Sequence, residues 1–258
     1  MAPRSSRRPD NAAQGTPTIT VDHLTVNYRD TQALRNINLT VRSGRLVGIF
    51  GPNGAGKSTL MKAMLGLIPV VTGRVTYGDD PLAHQLDRVA YVPQRSQIDW
   101  TFPATVWDVV MMGRVKKTGW LHRFSVTSRQ VAQASLERVG MLEFKDRPIG
   151  ALSGGQQQRV FLARALAQEA EIFCFDEPFV GVDQKTEGVI FQIFHDLANA
   201  GKTVLVVNHD LGESITNFDQ IILLNKELIA VGPREWVLTR DHMTRAYGGH
   251  IGFFGHVA

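Results

Sequence analysis

The sequence feature that most restricts the fold is a glycine-rich run from Gly51 to Ser58, which matches G-x-x-x-x-G-K-[ST] in full. The residues before it, 46–50, are continuously apolar, as in a strand that is buried on both faces. The apolar residues after it are spaced as in a helix that stops at Pro69. A strand, a glycine loop and a helix in this order are half of a βαβ unit. The sequence therefore predicts an α/β fold around a phosphate-binding loop.

The residue types of this phosphate loop (residues 51–58) suit a bound nucleoside triphosphate. The glycines let backbone N–H groups turn inward around phosphate oxygens, and the helix that follows directs its positive dipole end at the same place. Lys57 would add a full charge against the β- and γ-phosphates, and Ser58 would offer its hydroxyl to Mg²⁺. The predicted nucleotide-binding residues here are Gly51, Pro52, Asn53, Gly54, Ala55, Gly56, Lys57, Ser58 and Thr59.

A second candidate site lies where the apolar run 172–175 ends in Asp176 and Glu177. Ligands of an α/β sheet bind beyond the carboxyl ends of its strands. We therefore expect Asp176 to hold the Mg²⁺ shell and Glu177 to polarise the attacking water.

The segment Leu152-Ser153-Gly154-Gly155-Gln156 lies between these two sites, with Ser153 placed 96 residues after Lys57. With it, the chain from about Thr18 to Val231 resembles the ABC ATPase family. The resemblance implies an α/β P-loop NTPase core with a mostly parallel sheet, an antiparallel β subdomain and an inserted helical subdomain. It also implies ATP and Mg²⁺ as cofactors.

The resemblance also assigns expected roles to single residues. Tyr28 is expected to stack on adenine, Gln94 to link Mg²⁺ to a membrane partner, and His209 to contact the γ-phosphate as a switch. The loop 181–183 is expected to cross a dimer interface. The first residues of the signature segment, Ser153, Gly154, Gly155 and Gln156, are expected to bind the ATP of a second copy. The candidate catalytic residues are Lys57, Gln94, Glu177 and His209, and the candidate Mg²⁺ ligands are Ser58, Gln94 and Asp176.

The domain boundaries follow from composition and from this resemblance. Residues 1–17 are rich in Arg, Pro, Ser and Ala, without the apolar centre of a signal peptide, and are interpreted as a disordered lead-in. Residues 18–240 are predicted to form the ATPase domain, with the helical subdomain at about 95–160. Residues 241–258, rich in Gly, His and Phe, are interpreted as a solvated or partner-contacting tail.

Composition restricts the partners. The formal net charge of +4 gives little support to nucleic-acid binding. No apolar run approaches the roughly 20 residues needed to cross a bilayer, so if this chain serves a membrane the span must come from another chain. The resemblance to the ABC family implies that this other chain is a multispanning membrane subunit. The resemblance further implies a second copy of this chain, an indirect extracytoplasmic substrate-binding protein, and a peripheral position on the cytoplasmic face of the cell membrane.

The segment from Tyr91 to Arg114 is more distinctive than the general motifs. Its Ile98-Asp99-Trp100 and Phe102-Pro103 resemble the branch that imports manganese, zinc or iron, as does Pro178 to Asp183. Trp100 and Phe102 are expected to anchor a short helix of the membrane subunit, with packing inside the helical subdomain as the alternative.

Other functions stay open at this point. DNA-repair and chromosome-organising ABC ATPases share these motifs, but they need a long coiled coil between the phosphate loop and the signature segment. ABC translation factors carry two cassettes in one chain. Asn225-Lys226 is similar to the start of a guanine-binding motif, but a GTPase would need Asp at position 228, where this chain has Leu. An importer of another small solute remains an alternative to a metal importer.

Overall fold

The computed structural model describes residues 17–29, 31–119 and 123–248. The strands are β1 Thr18–Tyr28, β2 Thr31–Arg42, β3 Leu46–Phe50, β4 Thr72–Tyr77, β5 Asp80–Pro81, β6 Val89–Val92, β7 Ile172–Asp176, β8 Thr203–Val207, β9 Gln220–Asn225 and β10 Glu227–Gly232. The α-helices are α1 Lys57–Met64, α2 Val106–Met112, α3 Val115–Thr118, α4 Val126–Arg138, α5 Gly154–Ala167, α6 Gln184–Asn199, α7 Arg234–Val237 and α8 Arg240–Tyr247. Short 3-10 helices are Leu82–His84, Leu86–Arg88, Arg95–Gln97, Leu142–Phe144, Ile149–Ala151 and Glu213–Asn217.

The central sheet has the order β10-β9-β3-β8-β7-β6. β9, β3, β8, β7 and β6 pair in parallel, and only β10 runs antiparallel to its neighbour. Every residue of β3, β7 and β8 is buried, including Cys174, because helices and the second sheet cover both faces. This arrangement brings the carboxyl ends of β3 and β7 to the same edge, which is where both candidate sites begin.

The second sheet is antiparallel, with the order β2-β1-β4-β5. Its buried side chains alternate with exposed ones, and they pack with α1 and one face of the central sheet in a common core. The other face of the central sheet packs on α5 and α6, which join a core shared with α2 and α4. The predicted mostly parallel core and antiparallel subdomain are therefore both present.

Several predicted boundaries differ in the structure. α1 ends at Met64 rather than continuing to Pro69, because Gly66 adopts a left-handed φ of 67° that an α-helix cannot contain. α5 continues past the predicted subdomain boundary at 160 to Ala167. The region predicted as helical from Trp107 to Arg147 is broken into α2, α3, α4 and a 3-10 helix. No helix in the described ranges is both long and apolar enough to cross a membrane.

The packed chain also extends beyond the predicted tail boundary at 240. α8 begins there, with the Thr239 side chain as its N-cap, and it buries Met243 and Ala246. The Asn225 side chain donates a hydrogen bond to the Ala246 carbonyl at 3.0 Å, which fixes α8 against β9. The remainder of the predicted tail, 249–258, and the predicted lead-in up to residue 16 lie outside the described residues.

Candidate functional site

The phosphate loop joins β3 to α1 in a path that only glycine permits at two positions. Gly51 and Gly56 have φ values of 152° and 94°. A Cβ on Gly51 would lie 2.0 Å from the Leu224 carbonyl oxygen, and one on Gly56 would lie 2.6 Å from a Leu34 methyl carbon. Both distances are shorter than packed atoms allow. The glycine spacing read from the sequence is thus a steric requirement of this loop.

Lys57 is the first residue of α1, and its ammonium is folded back over the loop. It donates hydrogen bonds to the carbonyl oxygens of Gly51 at 2.8 Å and Pro52 at 3.0 Å. Burial lowers the pKa of Lys57, while the nearby carboxylates of Glu177 and Asp176 oppose this shift. The first turn of α1 contains no acidic residue. A cationic group therefore lies at a helix N-terminus, where phosphate oxygens bind best.

The end of β7 meets the phosphate loop through one hydrogen bond. Ser58 Oγ donates to Asp176 Oδ1 at 2.7 Å. Asp176 is 2% exposed, and its Oδ2 is buried without a hydrogen-bond partner among the described residues. Burial raises the pKa of Asp176, the Ser58 hydrogen bond lowers it, and the nearby Glu177 adds to the rise. An unpaired buried carboxylate oxygen is costly, and a hydroxyl beside it completes a donor set that fits Mg²⁺.

Glu177 is held in a constrained position beside this carboxylate. Its backbone has a left-handed φ of 53°, and its N–H donates to the Val207 carbonyl at 3.1 Å. Gln94, which follows β6 and Pro93, donates from its Nε2 to Glu177 Oε2 at 2.6 Å. A left-handed φ is uncommon for a residue with a side chain. The strain turns the Glu177 side chain toward Gln94, so the structure joins two residues that are 83 positions apart.

His209 follows β8, and it lines the same cleft as Glu177. This cleft of about 330 Å³ is also bordered by the loop 179–182 and by Glu187. His209 is exposed, as is Tyr28, which is 49% exposed at the end of β1. β2 pairs with β1, and it contacts the phosphate loop where Leu34 meets Gly56. The hairpin that carries Tyr28 is thus fixed against the loop.

The signature segment forms the N-terminus of α5. Ser153 Oγ accepts a hydrogen bond from the Gln156 N–H, and the Gln156 side chain accepts one from the Ser153 N–H. Across the part of the chain that the structure describes, these bonds join the two residues to each other and not to the phosphate loop. The remaining first-turn N–H groups, of Gly154 and Gly155, belong to a helix terminus that favours anions.

The segment 94–103, which we name the glutamine segment, contains the two aromatic residues that were expected to bind a partner together. Their surroundings in the structure differ. Trp100 is partly buried, and its ring packs edge-on against Phe161 of α5 at 5.3 Å. Phe102 is 56% exposed. The alternative of packing inside the helical subdomain therefore holds for Trp100, while Phe102 remains a surface residue.

Two further residues at the site were not predicted. Tyr91 in β6 has a buried hydroxyl without a hydrogen-bond partner among the described residues, and burial and Asp176 raise its pKa. Arg95 bonds to Gln157 of α5. An aromatic residue in an apolar run and an arginine beside a known motif carry no signal of their own, so only the tertiary structure reveals them.

A phosphate loop between a parallel strand and a helix, with a buried acid at the neighbouring strand end, defines the P-loop class of nucleotide-binding proteins. The inserted helices and the capped signature segment narrow this class. The family model described as ABC transporter matches residues 34–180, which is more than half of the chain. The chain therefore belongs to the ABC transporter family, as an ATP-binding ATPase.

Relatives and solved structures agree with this assignment. The manganese transport system ATP-binding protein MntB of Halalkalibacterium halodurans is 50% identical over 238 residues, 92% of this chain and 95% of its own. The zinc transport system ATP-binding protein TroB of Treponema pallidum is 48% identical over 233 residues, covering 90% and 88%. A bacterial ABC transporter cassette solved as a dimer is 29% identical, covers 83% of this chain and 98% of its own, and superimposes with a TM-score of 0.73. The predicted fold and family are thereby confirmed.

Proposed function

We propose that this chain hydrolyses ATP between two of its copies and so drives uptake of a divalent metal ion through a separate membrane subunit. The observation that carries the hydrolysis step is the Gln94 hydrogen bond to Glu177 beside the unpaired Oδ2 of Asp176. Manganese and zinc are the cargoes named for relatives that are about half identical over nine-tenths of the chain. The metal is transport substrate, and it does not enter the ATP site.

The residues at the two strand ends divide the work of hydrolysis. When bound, Mg²⁺ would offset the charge on the β- and γ-phosphates. Ser58 and Asp176 would hold the Mg²⁺ ion, and the side-chain carbonyl oxygen of Gln94 is a further candidate ligand. Lys57 stabilises negative charge on the phosphates. Glu177 accepts the proton of the attacking water as a general base. The short hydrogen bond from Gln94 holds its carboxylate in place for this role. His209 contacts the γ-phosphate from the shared cleft.

The signature segment supplies the missing side of the site. Within one copy, Ser153 and Gln156 bond to each other and leave an anion-binding helix N-terminus open. A two-fold arrangement would place this terminus on the ATP held by the other copy. The similarity to a cassette solved as a dimer supports this arrangement. ATP would favour the closed pair, and loss of the γ-phosphate would release it.

Replacing Tyr28 by leucine tests the adenine contact. Tyr28 is half exposed, so its loss should not disturb the core. We expect ATP binding to weaken by roughly 1–3 kcal/mol, the usual value of one base stacked on an aromatic ring. Tyr28→Phe is the control and should bind ATP normally, because it keeps the ring.

The same contact predicts nucleotide selectivity. Stacking accepts any base, so GTP should be hydrolysed nearly as fast as ATP. Steady-state kinetics with both nucleotides would check this. A preference for ATP of a hundredfold or more would instead require hydrogen bonds to adenine.

The surface beside the glutamine segment is the proposed contact with the membrane subunit. An apolar groove of about 200 Å³ lies between this segment and the helical subdomain. It is lined mainly by the side chains of Ile98, Trp100, Phe102, Val109, Met112 and Phe161. Because the groove begins a few residues after Gln94, a partner helix seated there would sense changes at the Mg²⁺ site.

Phe102→Ala is the sharper test of this contact, because Trp100 packs against Phe161 and its loss would also disturb folding. We expect Phe102→Ala to keep basal ATP hydrolysis and to lose most of the stimulation by the membrane subunit. Trp236→Ala, which removes a 73% exposed aromatic ring from α7, is the matched control. Unchanged transport in the Phe102→Ala complex would exclude this groove as the docking site.

The cargo is tested with the assembled transporter. The chain would be purified with its membrane subunit and extracytoplasmic binding protein. The complex would be reconstituted in vesicles so that this chain faces the compartment that contains ATP. We expect ATP-dependent uptake of manganese or zinc, abolished by Glu177→Gln. A transporter that hydrolyses ATP but carries neither of these metals nor iron would refute the proposed cargo and leave the ATPase assignment intact.

A further inference from the structure

Arg95, the residue after Gln94, is bonded to the helix that carries the signature segment. Its Nη2 and Nε both donate to Gln157 Oε1, at 2.8 and 3.2 Å. Gln157 is 3% exposed, and its Nε2 donates to the Ile149 carbonyl at 3.2 Å. The acceptor is therefore fixed from both ends of its amide, within the first turn of α5.

Arg95 is itself held at two points by Trp100. The indole N–H donates to the Arg95 carbonyl at 3.1 Å, and the guanidinium carbon lies 5.4 Å from the centre of the indole ring. Trp100 in turn packs on Phe161, one turn further along α5. Both the backbone and the side chain of Arg95 are thus tied to the same helix.

The guanidinium also lies beside the loop 181–183. A Cβ built on Gly154 would lie 3.5 Å from the Arg95 guanidinium carbon and 3.5 Å from the Gly181 carbonyl oxygen. The start of α5 therefore lies close to both the Arg95 guanidinium and the Gly181 carbonyl, and a side chain at position 154 would touch each of them.

We propose that Arg95 and Gln157 form a latch that fixes the signature segment to the glutamine segment, which makes Arg95 a positioning residue for ATP hydrolysis. Gln94 bonds to Glu177 on one side, and Arg95 bonds to α5 on the other. A shift of Gln94 is transmitted to the signature segment through a planar fork of donors that lysine cannot reproduce. This inference rests on the proposed sandwich of two copies, in which the signature segment binds the ATP of the other copy.

Steady-state kinetics test the latch. Arg95→Met keeps the length of the stem and removes the donors, and Gln157→Leu removes the acceptor. We expect each change to lower kcat by about tenfold, because each removes the forked pair of hydrogen bonds between a charged group and Gln157. KM for ATP should stay near its wild-type value, because the phosphate loop is untouched. The double variant should be no slower than either single one, because both changes remove the same pair of hydrogen bonds.

Two further variants separate positioning from general stability. Arg95→Lys keeps the charge and one donor, and it should recover part of the lost rate. Arg129→Met makes the same change as Arg95→Met at an exposed site on α4, and it should match the wild type. Equal kcat in wild type, Arg95→Met and Gln157→Leu would overturn the latch, as would double-variant losses that multiply. If Arg95→Met does not fold, Gln157→Leu tests the same bond from the other side.

Dimer formation distinguishes failure of the latch from failure of the sandwich. In a Glu177→Gln background, Arg95→Met should weaken the ATP-dependent dimer by about tenfold while ATP binding to the monomer is unchanged. An equally tight dimer refutes the latch alone. If Glu177→Gln itself stays monomeric with ATP, the sandwich is wrong, and the latch fails with it.

Discussion

Replacing Lys57 by alanine is expected to lower ATP turnover by about a thousandfold. The Lys57 ammonium is held over the phosphate loop by the carbonyls of Gly51 and Pro52, at the N-terminus of α1. Charge that develops on the transferring phosphate is stabilised there, and removal of one such donor typically costs ~10²- to 10³-fold in rate. Hydrolysis by the purified chain, measured as phosphate release with saturating Mg²⁺ and ATP, gives the result directly.

The fold should survive this substitution, because it removes a buried charge whose pKa burial already lowers. A circular dichroism melt close to that of the wild type would establish this. Lys145→Ala, at an exposed lysine of the helical subdomain, is the control and should keep full activity. If the folded Lys57→Ala chain hydrolysed ATP at near-normal rates, the assignment of the phosphate loop as the reaction site would be wrong.

Glu177→Gln is expected to bind ATP but to hydrolyse it about 10²- to 10⁴-fold more slowly, the usual contribution of a general base. A glutamine at 177 can still accept the hydrogen bond from Gln94, so the shape of the site is kept while the proton acceptor is lost. The substitution also removes a negative charge beside Asp176, whose pKa that charge helps to raise. Less repulsion of the triphosphate and no hydrolysis both favour a lasting ATP-bound pair.

Size-exclusion chromatography with light scattering, in the presence of Mg²⁺ and ATP, would measure this pair. We expect a dimer for Glu177→Gln with ATP and a monomer with ADP, because ADP lacks the phosphate that the signature segment of the other copy would bind. Glu143→Gln makes the same change at an exposed position of the helical subdomain and should behave as wild type. A Glu177→Gln chain that stays monomeric at saturating ATP would argue against two copies sharing the nucleotides.

The sequence by itself determined the class of the fold and the residue types that follow the carboxyl ends of β3 and β7. The spacing from Gly51 to Ser58 specifies its own conformation, because a side chain at Gly51 or Gly56 would collide with Leu224 or Leu34. The buried runs 46–50 and 172–175 had to become interior strands, since only a sheet covered on both faces removes so many apolar residues from water. Parallel strands then bring Asp176 to the same edge as Ser58.

Only the tertiary structure decided which residues are joined across long separations. The Gln94 bond to Glu177 spans 83 positions, and it depends on a left-handed backbone at Glu177 that no local pattern signals. Whether Trp100 or Phe102 faces solvent depends on the position of Phe161 in α5, so the shared apolar character of the two aromatics could not separate them. The helix 240–247 is equally a product of packing, because Met243 and Ala246 gain a buried face only when β9 lies beneath them. Local sequence fixes what each segment can form, whereas contacts between distant segments decide which side chains are buried and which remain at the surface.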